Sequence, residues 1–418
     1  MTEQKYKFLS TPRRPVEDRR FVAGRGKFIA DLDRPNMLHV APLASHYAAA
    51  VINGIDASAA LAMPGVVDVI TGAELAAAVQ PLMNGLNTPN VRRFPLAVDR
   101  VRYAGEWVCA VVAESRALAE DALEKIIVDA TPQPFILDAE AALLETSAPV
   151  HPEHGSNLLL DRKFVWGPVD DDFNVAEHSL SFSVTWGRNS TVPIETFGVL
   201  AEWNGWDQML DIWASIQMPK YADQIARSLD LPGNAIRVHY DVDVGGSYGV
   251  KRGIKHSVLV GYIARKLGCS VRLIEDRLEN MRAGDAHGPE RKFDITIAFD
   301  QDGTVRSMKM RALDNAGAYA GRAPFQLGKP ISAIVGPYQI NSVAYHALSV
   351  TTNKTVQEAV RGFGQAPTNY AIETAMDRVA EYLGMDRLAL RQKNLIRKDQ
   401  FPYLIPSGSY YDSGDYHA

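Results

Sequence analysis

The sequence predicts an α+β fold in two domains, and two patterns lead to this prediction. Strand-like and helix-like segments alternate in the first third of the chain, and a long hairpin pattern with separate helices follows in the remainder. The chain has 418 residues, 46% of them hydrophobic and 22% charged, which is typical of a soluble globular protein of two or three domains. We expect an N-terminal arm over 1–15, an α/β domain over 16–145 and a second domain over 146–418.

The first domain carries clear signals for strands and helices. Residues 66–70 follow a Pro-Gly pair and predict a strand, and Thr71 with Glu74 forms a capping-box pattern at the start of a helix. Trp107–Ala113 is a continuous apolar run that suits a buried strand. Apolar residues then share one helical face over 115–127, so we expect a helix there.

Two proline-punctuated stretches, 131–134 and 149–155, predict the crossing into the second domain. His151 and His154 lie in the second stretch, where we expect both to be solvated. No His-x-x-x-His or His-Glu-x-x-His pattern occurs in the chain, so a metal held by protein side chains is not expected.

The second domain contains a hairpin and three helical patterns. Apolar residues alternate over 293–299 and again over 308–312, on either side of the turn Gln301-Asp302-Gly303. Helical periodicity predicts three helices, of which the second and third end at Gly268 and Gly384: 221–229, 256–267 and 369–383.

Composition excludes several classes of function. The net charge of -5 provides no basic surface for nucleic acid, and no apolar run reaches the roughly 18 residues of a membrane span. Charged residues follow Arg13-Arg14 where a signal peptide needs an apolar region, so we expect a cytoplasmic protein. Cys109 and Cys269 are far apart and form no Cys-x-x-Cys pair, so we expect core residues that hold neither zinc nor an iron–sulfur cluster.

The segment 358–367 has the composition of a ligand-facing wall. Arg361 precedes a Gly-Phe-Gly sequence in which the glycines allow the backbone to approach a ligand closely. The guanidinium of Arg361 can bind a carboxylate, a phosphate or a polarised carbonyl. If Arg361 is buried, it needs such a partner, and the alternative partner is the nearby carboxylate of Glu358.

Three other positions are candidates with a plain structural alternative. The glycine-rich segment 243–253 follows a strand-like run over 236–242, so its N–H groups can contact a cofactor, or it is only a tight turn. It matches neither the P-loop nor the dinucleotide fingerprint. Gln217 ends an apolar strand and is either an amide donor to a ligand or a surface residue. Glu195 is a catalytic carboxylate or, as we favour, an acceptor for backbone N–H groups.

Four further stretches occur in the order typical of one family: 16–31, 101–106, 114–121 and 386–396. Together with Gln217, 246–249 and 361–364, they resemble the molybdenum-binding large subunit of the xanthine dehydrogenase/aldehyde oxidase family over nearly the whole chain. The resemblance implies an α/β hammerhead domain over 16–145 and the first half of a molybdopterin-binding domain over 146–418.

The resemblance also implies roles for individual residues. Gln217 would lie beside the apical oxo ligand of molybdenum, and Arg361 would be the active-site arginine, so both are candidate catalytic residues. Gln217 and Arg361 are also candidate cofactor-binding residues. The remaining candidates for cofactor binding belong to the two glycine-rich loops: Gly246, Ser247, Tyr248, Gly249, Gly362, Phe363 and Gly364. The candidate substrate-binding residues are Tyr248, Arg252, Arg361 and Phe363.

A mechanism and a set of partners follow from the same resemblance. Molybdenum is held by the dithiolene of molybdopterin, or of its cytosine dinucleotide form, and hydroxylates a carbon with oxygen from water. A hydride passes to a Mo=S sulfur, and electrons leave through iron–sulfur clusters, usually to a flavin. Because this chain lacks cysteine ligands, we expect the clusters on an iron–sulfur subunit and FAD, where present, on a flavin subunit.

The chain departs from the family in three respects. It is about half the length of the usual large subunit, so we expect a second molybdopterin subunit with the catalytic Glu, as in the split subunits of nicotinate dehydrogenase, unless the chain is a fragment. Arg252 occupies the place of the Glu that contacts xanthine, which favours a carboxylated or oxyanionic ring. The loop at Gly362-Phe363 lacks the cysteine of the copper-containing carbon monoxide dehydrogenases.

We therefore expect a subunit that hydroxylates an N-heteroaromatic compound, such as nicotinate or a nicotine-pathway intermediate. Aldehyde oxidation by the same machinery is the alternative chemistry. An assembly subunit without catalytic function is the alternative from a different class.

Overall fold

The computed structural model describes residues 8, 12–83, 91–218, 220–283 and 285–418. Residues 1–7 and 9–11 of the predicted N-terminal arm lie outside this range. Among the described residues, no helix combines the length and the apolar character that crossing a membrane requires.

The described chain contains strands and helices throughout. The strands are β1 (Leu38–Ala44), β2 (Ala50–Asp56), β3 (Val66–Thr71), β4 (Arg100–Val101), β5 (Trp107–Ala113), β6 (Ile127–Pro132), β7 (Leu158–Trp166), β8 (His178–Trp186), β9 (Gly198–Asn204), β10 (Met209–Ala214), β11 (Ile236–His239), β12 (Val271–Ile274), β13 (Arg291–Phe299), β14 (Val305–Gly317), β15 (Ser342–Thr351), β16 (Tyr403–Leu404) and β17 (Tyr410–Tyr411). The helices are α1 (Asp18–Val22), α2 (Ser58–Leu61), α3 (Gly72–Ala78), α4 (Arg116–Leu123), α5 (Ala139–Ala142), α6 (Val169–Val175), α7 (Tyr221–Ser228), α8 (Lys255–Leu267), α9 (Arg277–Arg282), α10 (Ala323–Gly328), α11 (Gln365–Leu383) and α12 (Arg387–Asn394).

The larger sheet has seven strands in the order β11-β10-β9-β12-β1-β5-β3. Strand β1 pairs antiparallel with β5 and parallel with β12, so strands from both predicted domains share one sheet. All seven residues of β5 are buried because each face of the sheet is covered. Trp107 and Val112 point into the core with α8, whereas Val108 and Val111 point into the core with α4.

The second large sheet has five strands in the order β7-β15-β14-β13-β8. Phe293, Ile295 and Ile297 of β13 alternate toward a core that is closed by apolar residues of α11. The opposite face is polar, as in the pairs Ser181–Thr296 and Ser183–Asp294. Strand β13 is antiparallel to both of its neighbours, and one-sided burial of such strands explains the period-two pattern in the sequence.

The predicted strands β3 and β5 and the hairpin of β13 and β14 are confirmed, and so is the pairing of the hairpin. Helices α7 and α8 are also confirmed to within one residue at each end, and α8 ends at Gly268 with a φ of 66°. Helix α11 begins at Gln365, four residues earlier than predicted, and therefore follows directly on the loop at 361–364. Pro367 is compatible with this start because the first turn of a helix needs no N–H donor.

The end of the first domain differs from the prediction. The helix predicted over 115–127 ends at Leu123, and Ile127–Pro132 forms β6, which pairs with β2. The β-branched pair Ile127 and Val128 favours this strand, so the proline stretch 131–134 begins within a sheet.

The capping box at Thr71 is only half formed. Thr71 accepts a hydrogen bond from the Glu74 N–H at 3.2 Å, as predicted. The Glu74 carboxylate instead accepts from Tyr262 at 2.9 Å and from Lys266 at 2.7 Å, both on α8. A long-range contact has replaced the local one.

The expectation that His151 is solvated is wrong. Its side chain is fully buried, its Nε2 lies 2.6 Å from the carbonyl of Ala318, and its ring packs edge-on against Tyr319. His154 is half-buried, with Nε2 3.3 Å from the carbonyl of Leu158. The proline-rich segment therefore packs against the second domain instead of crossing solvent.

A buried ion pair links the second sheet to the segment that precedes α11. Arg291 and Asp314 are fully buried, and Arg291 Nε donates to Asp314 at 2.9 Å. The side-chain amide of Gln357 donates to Asp314 at 2.8 Å in the orientation that also lets its oxygen accept from the Glu290 N–H. The carboxylate of Asp314 thus holds the chain four residues before Arg361.

We predict that Arg291→Met lowers the free energy of unfolding by about 3–5 kcal/mol, because it leaves the Asp314 carboxylate buried without a cation. Arg378→Met is the control, since Arg378 pairs with Glu381 on an exposed face of α11 and its loss is expected to cost less than about 1 kcal/mol. Urea denaturation measures both values. Equal costs for the two variants would contradict the structural importance of the buried pair.

Candidate functional site

Three segments of the chain meet at one cleft. Its volume is about 460 Å³, and it lies between the loop that follows β11, the loop that precedes α11 and the segment that follows β10. The residues that line it are Gln217, Ser247, Tyr248, Gly249, Arg252, Ala359, Val360, Arg361 and Phe363. The structure thus brings together the predicted site residues, except that Gly246, Gly362 and Gly364 lie in the same loops without lining the cleft.

Two glycines allow the loops to approach so closely. A Cβ on Gly249, which has a φ of 119°, would lie 2.2 Å from the carbonyl oxygen of Ala359 in the facing loop. A Cβ on Gly364, which has a φ of 87°, would lie 1.8 Å from the carbonyl oxygen of Gln326. Both positions therefore require glycine for backbone packing, in addition to any contact with a ligand.

Two aromatic residues of the cleft have strained backbones. Tyr248 has a φ of 59° and Phe363 a φ of 37°, in the left-handed region that residues with bulky side chains rarely adopt. Tyr248 is 48% exposed, and its ring lies close to the backbone of Gly246. Strain of this kind persists where the surrounding structure enforces it, which is common at ligand-binding sites.

Gln217 presents an oriented amide to the cleft. Its Oε1 accepts a hydrogen bond from the Gly249 N–H at 3.0 Å, and the backbone N–H of Gln217 donates to the carbonyl of Lys251 at 3.1 Å. Its Nε2 has no partner in the described part of the chain, and the residue is exposed. Because the oxygen is fixed, the NH₂ group is free to donate to a ligand.

The loop that carries Tyr248 also offers backbone donors. The N–H groups of Gly246, Ser247 and Tyr248 donate to no atom of the described residues. Gly246, Tyr248 and Gly249 have positive φ values, and successive N–H groups in such a conformation form a concave surface for anionic or polar atoms. The described residues contain no group of three His, Cys, Asp or Glu side chains that could hold a metal ion.

Arg361 is exposed, so the condition that a buried arginine needs a partner does not apply to it. Its side chain has no ion pair or hydrogen bond with any described residue. Glu358 is not its partner, because the Glu358 carboxylate lies 3.6 Å from Nε of Arg322. The guanidinium of Arg361 is therefore available to a ligand without first losing a salt bridge.

The glycine-rich loop is anchored at its start. Asp243 pairs with both terminal nitrogens of Arg20 at 2.5 and 2.6 Å. Glu195 Oε2 accepts from the Gly245 N–H and from Lys251 Nζ, each at 2.7 Å. The structural interpretation of Glu195 is therefore the one that the geometry supports.

A second cavity of about 210 Å³ adjoins the cleft, and Arg252 lines both. Its charged lining residues are Arg93, Arg252, Lys255, Asp285, Arg322 and Glu358. Sequence reasoning identified Arg252 but missed Arg322, although Gly321-Arg322-Ala323 has the same small-residue setting as the arginine of the 361–364 loop.

The pKa values of the two acids in this second cavity are shifted in opposite directions. Arg93 lies 2.5 Å from Asp285 and, with Lys255, keeps the pKa of Asp285 at about 2 despite its burial. Burial raises the pKa of Glu358 to about 7, Asp285 adds to this, and Arg322, Arg93 and Arg252 oppose it. One carboxylate oxygen of Glu358 is buried without a hydrogen bond.

Comparison with known proteins gives two matches to families. Residues 150–395 match the molybdopterin cofactor-binding domain, and residues 23–134 match the a/b hammerhead domain of aldehyde oxidase and xanthine dehydrogenase. These ranges fall inside the second and first predicted domains, respectively.

Relatives and solved structures cover nearly the whole chain. The 6-hydroxypseudooxynicotine dehydrogenase complex subunit gamma of Paenarthrobacter nicotinovorans is 32% identical over 96% of this chain and 52% of its own length. The nicotine 6-hydroxylase large subunit of the same organism is 32% identical over 96% of this chain and 50% of its own. Quinoline 2-oxidoreductase from Pseudomonas putida 86 superimposes with a TM-score of 0.89 at 32% identity, over 99% of this chain and 53% of that one. The chain spans about half the length of the curated relatives it matches.

The raised pKa of Glu358 predicts a pH-dependent cost in stability. Between its ordinary value of 4.5 and about 7, the folded protein holds a proton that the unfolded chain has lost, so stability falls as pH rises through this window. For Glu358→Gln, which has no titrating group there, we expect a gain of about 2 kcal/mol relative to the wild type on going from pH 5 to pH 8. Urea denaturation at both pH values measures this, with Glu381→Gln on the exposed face of α11 as the control. Parallel pH profiles for wild type and Glu358→Gln would refute the raised pKa.

Proposed function

Because the chain belongs to the xanthine dehydrogenase and aldehyde oxidase family of molybdopterin-binding proteins, we propose that it forms the molybdenum-binding part of a hydroxylase. The reaction adds a water-derived oxygen to a carbon of an N-heteroaromatic substrate. The observation that carries this proposal is the cleft in which the free amide of Gln217 and the free guanidinium of Arg361 face the same space.

The residues of the cleft fit a molybdenum–pterin cofactor, either molybdopterin or its cytosine dinucleotide form. Gln217 Nε2 and the N–H groups of Gly246, Ser247 and Tyr248, which have no partner among the described residues, are neutral donors that would hold the polar atoms of such a cofactor. When bound, the cofactor supplies the transfer of oxygen and of two electrons. The protein supplies the fixed dipoles around it.

The substrate side of the cleft consists of Arg361, Tyr248, Phe363 and Arg252. The aromatic rings of Tyr248 and Phe363 offer flat faces against which a heteroaromatic ring can pack. Arg361 binds the substrate through its planar donors and polarises the ring as negative charge develops. Since Arg361 is exposed, its interaction with the substrate strengthens when the ring displaces water from the cleft.

The remaining parts of the reaction come from outside this chain. We propose that a second molybdopterin subunit contributes the other half of the pocket with the Glu that accepts the proton. An iron–sulfur subunit removes the electrons, and a flavin subunit, where present, receives them. Burial raises the pKa of the Cys109 thiol to about 12, and Cys109 and Cys269 form no Cys-x-x-Cys pair that could help to hold a cluster.

The proposal is tested on the complete complex purified with its native partners. We expect molybdenum and pterin in the complex and oxidation of N-heteroaromatic compounds, measured against a panel that includes aldehydes. Turnover of aldehydes alone would show that aldehydes are the substrate class, and the proposal that the complex is an enzyme would stand. A complex without molybdenum and pterin would leave only a role in assembly.

We predict that Arg361→Ala reduces turnover by on the order of 10²-fold, because one positioned donor to the reacting ring is lost. Molybdenum and pterin content should stay close to that of the wild type, since the Arg361 side chain supports no other residue of the described chain. Arg378→Ala on the exposed face of α11 is the control and should keep full turnover. Parallel loss of metal and activity in Arg361→Ala would instead make Arg361 a residue that holds the cofactor.

A further inference from the structure

The second cavity, next to the cleft, carries more positive than negative charge. Four cationic and two acidic side chains line it: Arg93, Arg252, Lys255, Arg322, Asp285 and Glu358. Two of the cations are already engaged, because Arg93 pairs with Asp285 and Lys255 donates to the carbonyl of Ala283. Among the described residues that line the cavity, Arg252 and Arg322 remain as the cations that are available to a ligand.

Neither of these two arginines has a strong partner. Arg252 makes no ion pair or hydrogen bond with the described residues, and its Nε is buried without an acceptor. Arg322 approaches Glu358 only at 3.6 Å and otherwise donates weakly to Met218 Sδ at 3.5 Å. Burial, and then repulsion from Arg322, lowers the pKa of Arg252. Two guanidinium groups that repel each other beside a cavity favour an anion between them.

Glu358 is the acid that faces this pair. Its neighbours are the carboxylate of Asp285 and the cations Arg93, Arg252 and Arg322, with Lys255 on the same cavity wall. It is 6% exposed, and one of its oxygens has no hydrogen-bond donor. In its charged form, Glu358 partly neutralises the positive charge of the arginines, but its carboxylate comes no closer than 3.6 Å to Nε of Arg322. A ligand whose negative charge lies closer to both arginines can take over this role.

The rest of the cavity is suited to an aromatic ring. Leu82 and Phe325 form apolar walls next to the charged groups. Arg252 also lines the cleft, so a ligand held there would extend toward Tyr248 and Phe363. A flat ring with one negatively charged substituent satisfies both the apolar and the cationic parts.

We propose that Arg252 and Arg322 form the subsite for a carboxylate on the substrate ring, and that Glu358 takes up one proton from solvent when this carboxylate binds. The proposal rests on the proposed function, whose substrate class it narrows to carboxylated heteroaromatic rings. The charge balance is simple: the ligand brings one negative charge, and Glu358 loses one by protonation. The two arginines thus keep a single compensating carboxylate close to them.

The subsite is tested by calorimetric binding of benzoate and of its neutral isostere benzamide to the complete complex. These probes contain no ring nitrogen, so their binding is measured apart from hydroxylation. We expect benzoate to bind at least tenfold more tightly than benzamide at pH 6.5. Above pH 7 the affinity for benzoate should fall with rising pH, because the charged Glu358 competes with the ligand. Proton uptake, measured in buffers of different ionisation enthalpy, should approach one at pH 8.

Variants separate the contributions of the three residues. Arg252→Gln and Arg322→Gln should each weaken benzoate at least tenfold and leave benzamide unchanged, whereas Arg252→Lys should retain more of the affinity than Arg252→Gln. Glu358→Gln should bind benzoate at pH 8.5 as tightly as the wild type does at pH 6.5, without proton uptake. Arg378→Gln is the control for a lost surface charge.

Equal affinity for the two probes, or full benzoate affinity in both Gln variants of the arginines, would overturn the subsite. Proton uptake that persists in Glu358→Gln would overturn the role of Glu358. Turnover of N-heteroaromatic compounds by the same preparations decides the proposed function separately. If the complex is active but binds benzoate and benzamide equally, the proposed function holds and the subsite is refuted. If the complex is inactive but prefers benzoate, the subsite holds and the proposed function is refuted.

Discussion

The contact between two backbone segments, at Gly249 and Ala359, is the constraint on which the site depends. No side chain fits between the Gly249 Cα and the Ala359 carbonyl, so the two loops meet directly and the larger residues on either side are displayed around a common space. Gln217 is tied to the same point, because its Oε1 accepts from the Gly249 N–H. The cleft is therefore a consequence of backbone packing, and the functional side chains add chemistry to a geometry that they do not create.

The loops can hold strained conformations because charged contacts anchor each of them to another segment of the chain. Asp243 and Glu195 fix the loop after β11, the first through Arg20 and the second through Gly245 and Lys251. Asp314, buried with Arg291, fixes the segment before α11 through Gln357. A fully buried pair such as Arg291 and Asp314 contributes little net stability, yet it is costly to break. These anchoring contacts make other conformations of the loops unfavourable, and they thereby hold Tyr248 and Phe363 in place despite their positive φ values.

Local patterns in the sequence predicted the parts of the fold that depend on neighbouring residues. The apolar run of β5, the alternation of β13 and β14 and the glycine at the end of α8 are such patterns. The half-formed capping box at Thr71, the burial of His151 and the parallel pairing of β1 with β12 depend on residues distant in the chain, which no local period reveals. The same limit applies to the site. The motifs identified the two loops, whereas the exposure of Arg361 and the placement of Arg322 beside Glu358 depend on how separate segments of the chain lie against each other.

The arginines of the site differ in what their charge costs before a ligand arrives. Arg361 is exposed, so water solvates its charge and its lack of a partner has little effect on folding. Arg252 is partly buried beside Arg322, so its charge is poorly solvated and carries a cost that a ligand can relieve. A partly desolvated pair is preorganised and discriminates between charged and neutral ligands, whereas a solvated guanidinium must exchange water for ligand and adds little selectivity in the ground state. The arginines therefore have two different roles. Arg252 and Arg322 recognise the substrate, whereas Arg361 stabilises the charge that develops on the reacting ring.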